Sequence, residues 1–210
     1  QSRISLSWDK KWNIRGFGLG EGLISPDRRY FYLNIPKNAS STIKTILKSR
    51  GWEYSTIPEC PDAEIIVVLR DPMSRWVSGI AEYLSMYHQK VLESTVDPSK
   101  YGYYSLLADK LGISLIFDNI TFDDHTEKQV KFLEWLDTDN CTFMMCDTNY
   151  RANFSKFISE RFGDNKYYNY SYQHVSENCP NRSRFKRIFE TIINNNPKYL
   201  DQIKHHFSDD

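Results

Sequence analysis

Charge of either sign is not in excess in this chain. Its 27 Lys and Arg balance 27 Asp and Glu over 210 residues. That balance argues against general binding to nucleic acid or a membrane surface, while leaving room for a local basic pocket. Long apolar runs are missing as well. Nothing approaches the ~20 residues of a spanning helix, and the first residues lack the apolar core of a secretion signal, so a soluble chain is expected. The four cysteines, Cys60, Cys141, Cys146 and Cys179, form no C-x-x-C pair and have no companion histidines in ligand spacing, which disfavours zinc and favours free thiols. Sequons occur at Asn38, Asn119, Asn140, Asn153, Asn169 and Asn181. Several fall in segments that read as structured, so passage through a glycosylating lumen is disfavoured, and a cytoplasmic, bacterial or viral setting is expected.

What is present is organised around Tyr30 to Arg50, YFYLNIPKNASSTIKTILKSR. Tyr30 to Ile35 is a β-favouring run that Pro36 ends, because proline cannot donate to a sheet ladder. Ser40, Ser41 and Thr42 offer N-cap chemistry, and Ile43, Ile46 and Leu47 follow at helical spacing. A helix N-terminus set on a strand end attracts a phosphate through free backbone N–H groups and the helix dipole. Lys37 adds a mobile positive charge. The loop has no glycine and its Lys precedes the hydroxyls, so it is not a Walker A sequence.

A second unit of the same kind follows. Glu64 to Leu69 (EIIVVL) has the continuous β-branched pattern of a parallel strand buried on both faces. Pro72 then starts a helix whose face carries Trp76, Val77, Ile80, Tyr83, Leu84 and Tyr87. Between them lies Arg70-Asp71-Pro72-x-x-Arg75-x-x-Ser78, in which Arg70 and Ser78 together would cradle a phosphate. Two β-then-α units predict an α/β fold. A single three-layer, P-loop-like domain is expected, with a mostly parallel central sheet flanked by helices and ligands bound beyond the strand ends.

The rest of the chain reads as follows. Residues 1–29 are an irregular lead-in with a glycine cluster and room for one short strand, 30–90 the cofactor-binding core, and 91–210 acceptor-side helices with one further strand. The spacing predicts a helix near Val91 to Gly112, and another over Asp124 to Leu136 with Asp124 as N-cap and Glu127 at the reciprocal capping position. It also predicts a strand over Cys141 to Cys146 and helices over Tyr150 to Phe162, Ser183 to Asn194 and after Pro197. Tyrosines at 101, 103, 104, 167, 168, 170 and 172 suit either a sugar pocket or ordinary packing.

PKNASST and RDPMSRWVS, each after a strand, resemble the two cofactor-binding motifs of sulfotransferases that use 3′-phosphoadenosine 5′-phosphosulfate (PAPS). The likeness covers Tyr30 to Leu84 and is nearer the Golgi carbohydrate type than the cytosolic type, whose glycine-rich segment near the chain end has no counterpart here. It implies that Lys37, Asn38, Ala39, Ser40, Ser41 and Thr42 hold the 5′-phosphosulfate and that Arg70 and Ser78 hold the 3′-phosphate. The acceptor would bear a hydroxyl, on a saccharide or small alcohol.

Sulfuryl transfer loads negative charge onto the bridging oxygen of the leaving group, which Lys37 is placed to offset. No metal is required, and the sequence shows no obvious metal cluster. A general base is needed, and His125 is the first candidate because it sits among Asp123, Asp124 and Glu127. Glu82 and Asp124 are alternatives. Arg182, Arg184, Lys186 and Arg187 form either an anion clamp or a solvated face. Two other function classes stay open: a P-loop nucleotide kinase, which lacks a correctly placed magnesium ligand set, and a non-catalytic carbohydrate-binding domain.

Overall fold

The computed structural model describes residues 20–87, 112–134, 136–162 and 179–210. These fall into two compact units, each built from separated stretches of chain: one lies within Asn13–Asp71 and Gln129–His174, the other within Pro72–Lys128 and Val175–Asp210.

The first unit holds a five-stranded sheet in the order β3-β1-β2-β4-β5. Its strands are β1 (Glu21–Ile24), β2 (Tyr30–Leu33), β3 (Glu53–Thr56), β4 (Glu64–Leu69) and β5 (Cys141–Met145), and its helices are α1 (Ser40–Lys48), α4 (Gln129–Leu133) and α5 (Tyr150–Phe162). The fold is therefore α/β with helices flanking a sheet, but the sheet is mixed, not mostly parallel as the sequence predicts. β2–β4 and β4–β5 pair in parallel, whereas β1–β2 and β1–β3 pair antiparallel. The cause is local. The turn between β1 and β2 is too short for a crossover and can join only antiparallel strands. It is tied by Tyr30 N–H donating to Ser25 Oγ at 3.0 Å and Arg29 N–H donating to Asp27 Oδ1 at 3.1 Å. Gly22 is required in β1, since a Cβ there would lie 1.9 Å from the Tyr32 carbonyl oxygen.

Alternation along the strands divides the core between the two sheet faces. Leu23, Tyr30, Tyr32, Ile66 and Val68 pack with Ile43, Ile46 and Leu47 of α1 and with Phe154 and Ile158 of α5. Ile24, Phe31, Leu33, Ile65 and Val67 pack with Phe132 of α4. β4 is buried on both faces, as its sequence pattern predicts. β5 is not, because it is the sheet edge and leaves Phe143 and Met145 about half exposed.

The second unit is helical, with α2 (Pro72–Tyr87), α3 (Ile113–Asn119), α6 (Pro180–Asn195) and α7 (Pro197–His206). Its core centres on Trp76, which is fully buried with Phe117, Phe185 and Phe189. The Trp76 indole donates to the Ile120 carbonyl at 2.8 Å, so burial of this large ring leaves no polar group unpaired. Among the described residues, no helix is long and apolar enough to cross a membrane. The expected helix near Val91 to Gly112, the tyrosines at 101–104 and 167–172, and the lead-in through residue 19 lie outside the described residues.

Candidate functional site

The loop that joins β2 to α1 is unusual in its backbone. Lys37 and Ala39 both have left-handed φ, at 69° and 58°, a region that costs a non-glycine residue roughly 1–2 kcal/mol. Ser40, Ser41 and Thr42 do not cap the helix, as their types suggest; they are its first three residues. The cap position falls to Ala39, which has no side-chain oxygen and makes no capping hydrogen bond. The first intrahelical bond runs from Ile43 N–H to the Ala39 carbonyl at 3.0 Å. The N–H groups of the first turn thus have no capping side chain, at an end where the helix dipole favours an anion.

The loop is pinned from below by buried amides. Asn38 is fully buried, and its Nδ2 donates to the Val68 carbonyl at 2.8 Å and to Gln129 Oε1 at 2.7 Å. Gln129 Oε1 also accepts from Arg70 N–H at 2.9 Å, and Gln129 Nε2 donates to the Arg70 carbonyl at 2.8 Å. The Arg70 guanidinium donates to the Lys37 carbonyl at 2.9 Å. The two motifs predicted to grip one ligand therefore touch each other at Arg70 and Lys37. Asn38 Oδ1 and the fully buried Tyr32 hydroxyl find no hydrogen-bond partner. Burial holds the Tyr32 phenol well above its ordinary range, with the nearby Cys146 acting in the same direction. Burial likewise raises the Cys146 thiol, against the opposing charge of Arg70. One amide in a polar stretch carries no spacing signal, so the sequence does not single out Gln129.

The remaining candidates belong to the helical unit. Ser78 is buried in α2. Arg75 is also buried, and its guanidinium donates to the Glu127 carbonyl and, at 3.2 Å, to the Asp124 carbonyl. It therefore braces the 124–127 turn. That turn replaces the helix expected from Asp124, since α4 spans only Gln129–Leu133. Asp123 and Thr126 side chains take up the backbone donors instead: Thr126 Oγ1 accepts from Phe122 N–H at 2.7 Å, and Asp123 Oδ1 accepts from His125 N–H at 3.1 Å. Such local bonds compete with helix formation.

His125 Nδ1 lies 2.7 Å from Asp123 Oδ2 and 3.1 Å from Asp124 Oδ1. Burial alone would lower its pKa, but the two carboxylates outweigh burial and raise it to about 9. At neutral pH the ring is an imidazolium. Its value as a general base is thereby reduced. Asp123, Asp124 and His125 also bring ligand atoms within 4.8 Å of one another, a grouping able to hold a metal ion that the sequence did not suggest. As arranged, the Nδ1 proton already satisfies the carboxylates. Glu82 is engaged with Arg182 at 2.6 Å, which occupies one alternative base and one member of the basic cluster. His88 and His174 lie outside the described residues.

Set against known proteins, the chain matches no family model, no curated protein and no solved structure.

Proposed function

We propose that this protein is a PAPS-dependent sulfotransferase acting on a hydroxyl of a saccharide or small alcohol. The observation that carries the reading is the contact between the two motifs. The Arg70 guanidinium bonds the Lys37 carbonyl, beside a helix N-terminus that no side chain caps. This donor set, two cations and a row of backbone N–H groups, suits a ligand rich in phosphate oxygens. In this reading the sheet unit is the P-loop-like, three-layer core of the enzyme.

PAPS would supply the sulfuryl group, with adenosine 3′,5′-bisphosphate leaving. The N–H groups of Ala39 to Thr42 and the Ser41 and Thr42 hydroxyls orient the 5′-phosphate, the Asn38 N–H being taken by the Ile35 carbonyl at 3.3 Å, and Lys37 offsets charge on the bridging oxygen as it departs. Arg70 holds the 3′-phosphate; its guanidinium has five donors, so the bond to the Lys37 carbonyl leaves capacity for a ligand. The acceptor proton passes to a base, His125 or a carboxylate such as Asp124. Catalysis is then mostly positioning and electrostatics. A cytoplasmic setting of bacterial or viral origin fits the burial of the Asn38 sequon, because a glycan there is incompatible with a fully buried side chain.

Calorimetry with adenosine 3′,5′-bisphosphate against ATP, both without magnesium, tests the reading. Binding of the bisphosphate alone, and labelled product from PAPS with an acceptor panel, is expected. ATP preference would favour the kinase, and binding of saccharide alone the non-catalytic domain. If neither PAPS nor the bisphosphate binds, the transferase is excluded. Arg70→Ala should weaken bisphosphate binding by about 2–3 kcal/mol, the scale of a lost charged hydrogen-bond partner. Wild-type affinity in that variant would remove Arg70 from the ligand.

A further inference from the structure

We infer that Gln129 is a positioning residue that sets the geometry of the phosphate loop, and through it the affinity for the nucleotide; the affinity part rests on the transferase reading above. β2 pairs with β4 only as far as Tyr32 and Ile66, so past that point the end of β4 needs other partners. Two side-chain amides supply them. Asn38 Nδ2 takes the Val68 carbonyl, and the single carboxamide of Gln129 takes both the N–H and the carbonyl of Arg70, as a neighbouring strand would. Gln129 Oε1 then accepts from Asn38 Nδ2 as well. Both Nδ2 donors of Asn38 are thereby committed to β4 and Gln129.

Asn38 stands between the two left-handed residues Lys37 and Ala39. Fixing its side chain from inside fixes the backbone that aims Lys37 and begins α1. The clamp comes from 91 positions away in sequence, and it is only 2% exposed. Phe132, in the same short helix, anchors it to the sheet. A buried polar chain of this kind favours one conformation because releasing it would leave the Asn38 Nδ2 donors, the Val68 carbonyl and the Arg70 backbone groups without these partners. Gln129 touches no atom of the proposed ligand directly. It acts through Asn38 and Arg70.

Gln129→Met keeps length and burial while removing all three bonds. Gln129→Glu keeps both acceptor bonds, loses the donation to the Arg70 carbonyl and adds a negative charge. In the free protein, the amide signals of residues 37–42 and of Arg70, read by heteronuclear NMR, should shift in both variants. Calorimetry with adenosine 3′,5′-bisphosphate should show affinity falling roughly tenfold to hundredfold in Gln129→Met and further in Gln129→Glu. Combined with Asn38→Ala, Gln129→Met should cost less than the sum of the two single changes, because the pair shares one bond. A merely structural glutamine would lower the melting temperature without altering the loop signals or the affinity of folded protein. If wild type fails to bind the bisphosphate, the transferase reading falls, and the free-protein signals alone decide the role of Gln129. Unchanged signals at 37–42 in a folded variant overturn the inference, and so does unchanged affinity where wild type binds.

Discussion

Lys37→Ala should lower kcat by about three orders of magnitude, the upper scale for removing one donor aimed at developing charge, while weakening adenosine 3′,5′-bisphosphate binding far less. The asymmetry follows from when the charge appears. The bridging oxygen carries little charge before transfer and much of it during transfer, so an ammonium placed there stabilises the transition state more than the bound ground state. Backbone strain provides a control. Lys37 has φ of 69°, which glycine tolerates at no steric cost. Lys37→Gly should thus be as inactive as Lys37→Ala yet melt at the same temperature as wild type or slightly higher. Steady-state rates, calorimetry and thermal melts on the three proteins suffice. A Lys37→Ala enzyme within tenfold of wild-type kcat would take the leaving-group role away from this side chain.

What the sequence made legible was local. The strand–loop–helix around Lys37, the continuous β-branched strand Glu64–Leu69 and the helix begun by Pro72 were all readable, since each is written in consecutive residues by periodicity or by proline. β3 was not. Glu53–Thr56 is a short edge strand with no buried residue and little apolar alternation, and its pairing with β1 adds a second antiparallel pair to the one that the β1–β2 turn makes. The division into two units was equally hidden, because each unit is assembled from chain segments far apart in sequence. No linker composition marks such a boundary.

The site shows the same limit. Residue types named Lys37 and Arg70 as ligand-binding cations, but not the hydrogen bond between them, which depends on how β2 and β4 end side by side. Serine and threonine types suggested caps, yet the left-handed Ala39 shifts the helix start so that the hydroxyls fall inside it. Around His125 the acidic residues were visible, but the competition between burial and two carboxylates could be decided only from distances.

That competition yields the second large effect. With its folded pKa raised from 6.5 to about 9, His125 binds its proton more tightly in the folded than in the unfolded chain. Its contribution to stability is full below the unfolded value and is lost as pH rises through about 9, with a total on the order of 3 kcal/mol. Asp124 has the opposite sense: burial pushes its carboxyl up, but the hydrogen bond and charge of His125 bring it below the ordinary value, so its contribution fades as pH falls through the acid range. Urea midpoints should therefore decline on both sides of neutrality. If His125 is the general base, kcat should climb about tenfold per pH unit below pH 9, because only the neutral ring accepts a proton. At pH 7, roughly one ring in a hundred is neutral. His125→Ala should abolish the inflection and leave bisphosphate binding unchanged. Asp123→Asn should move it to lower pH by more than Asp124→Asn does, since the Asp123 contact is the shorter at 2.7 Å and its side chain the more buried, 8% exposed against 41%. Asparagine at either position still accepts a backbone bond, so the turn has the means to persist. Full activity and an unaltered pH profile in His125→Ala would hand the proton to a carboxylate, with Asp124 next to be tested.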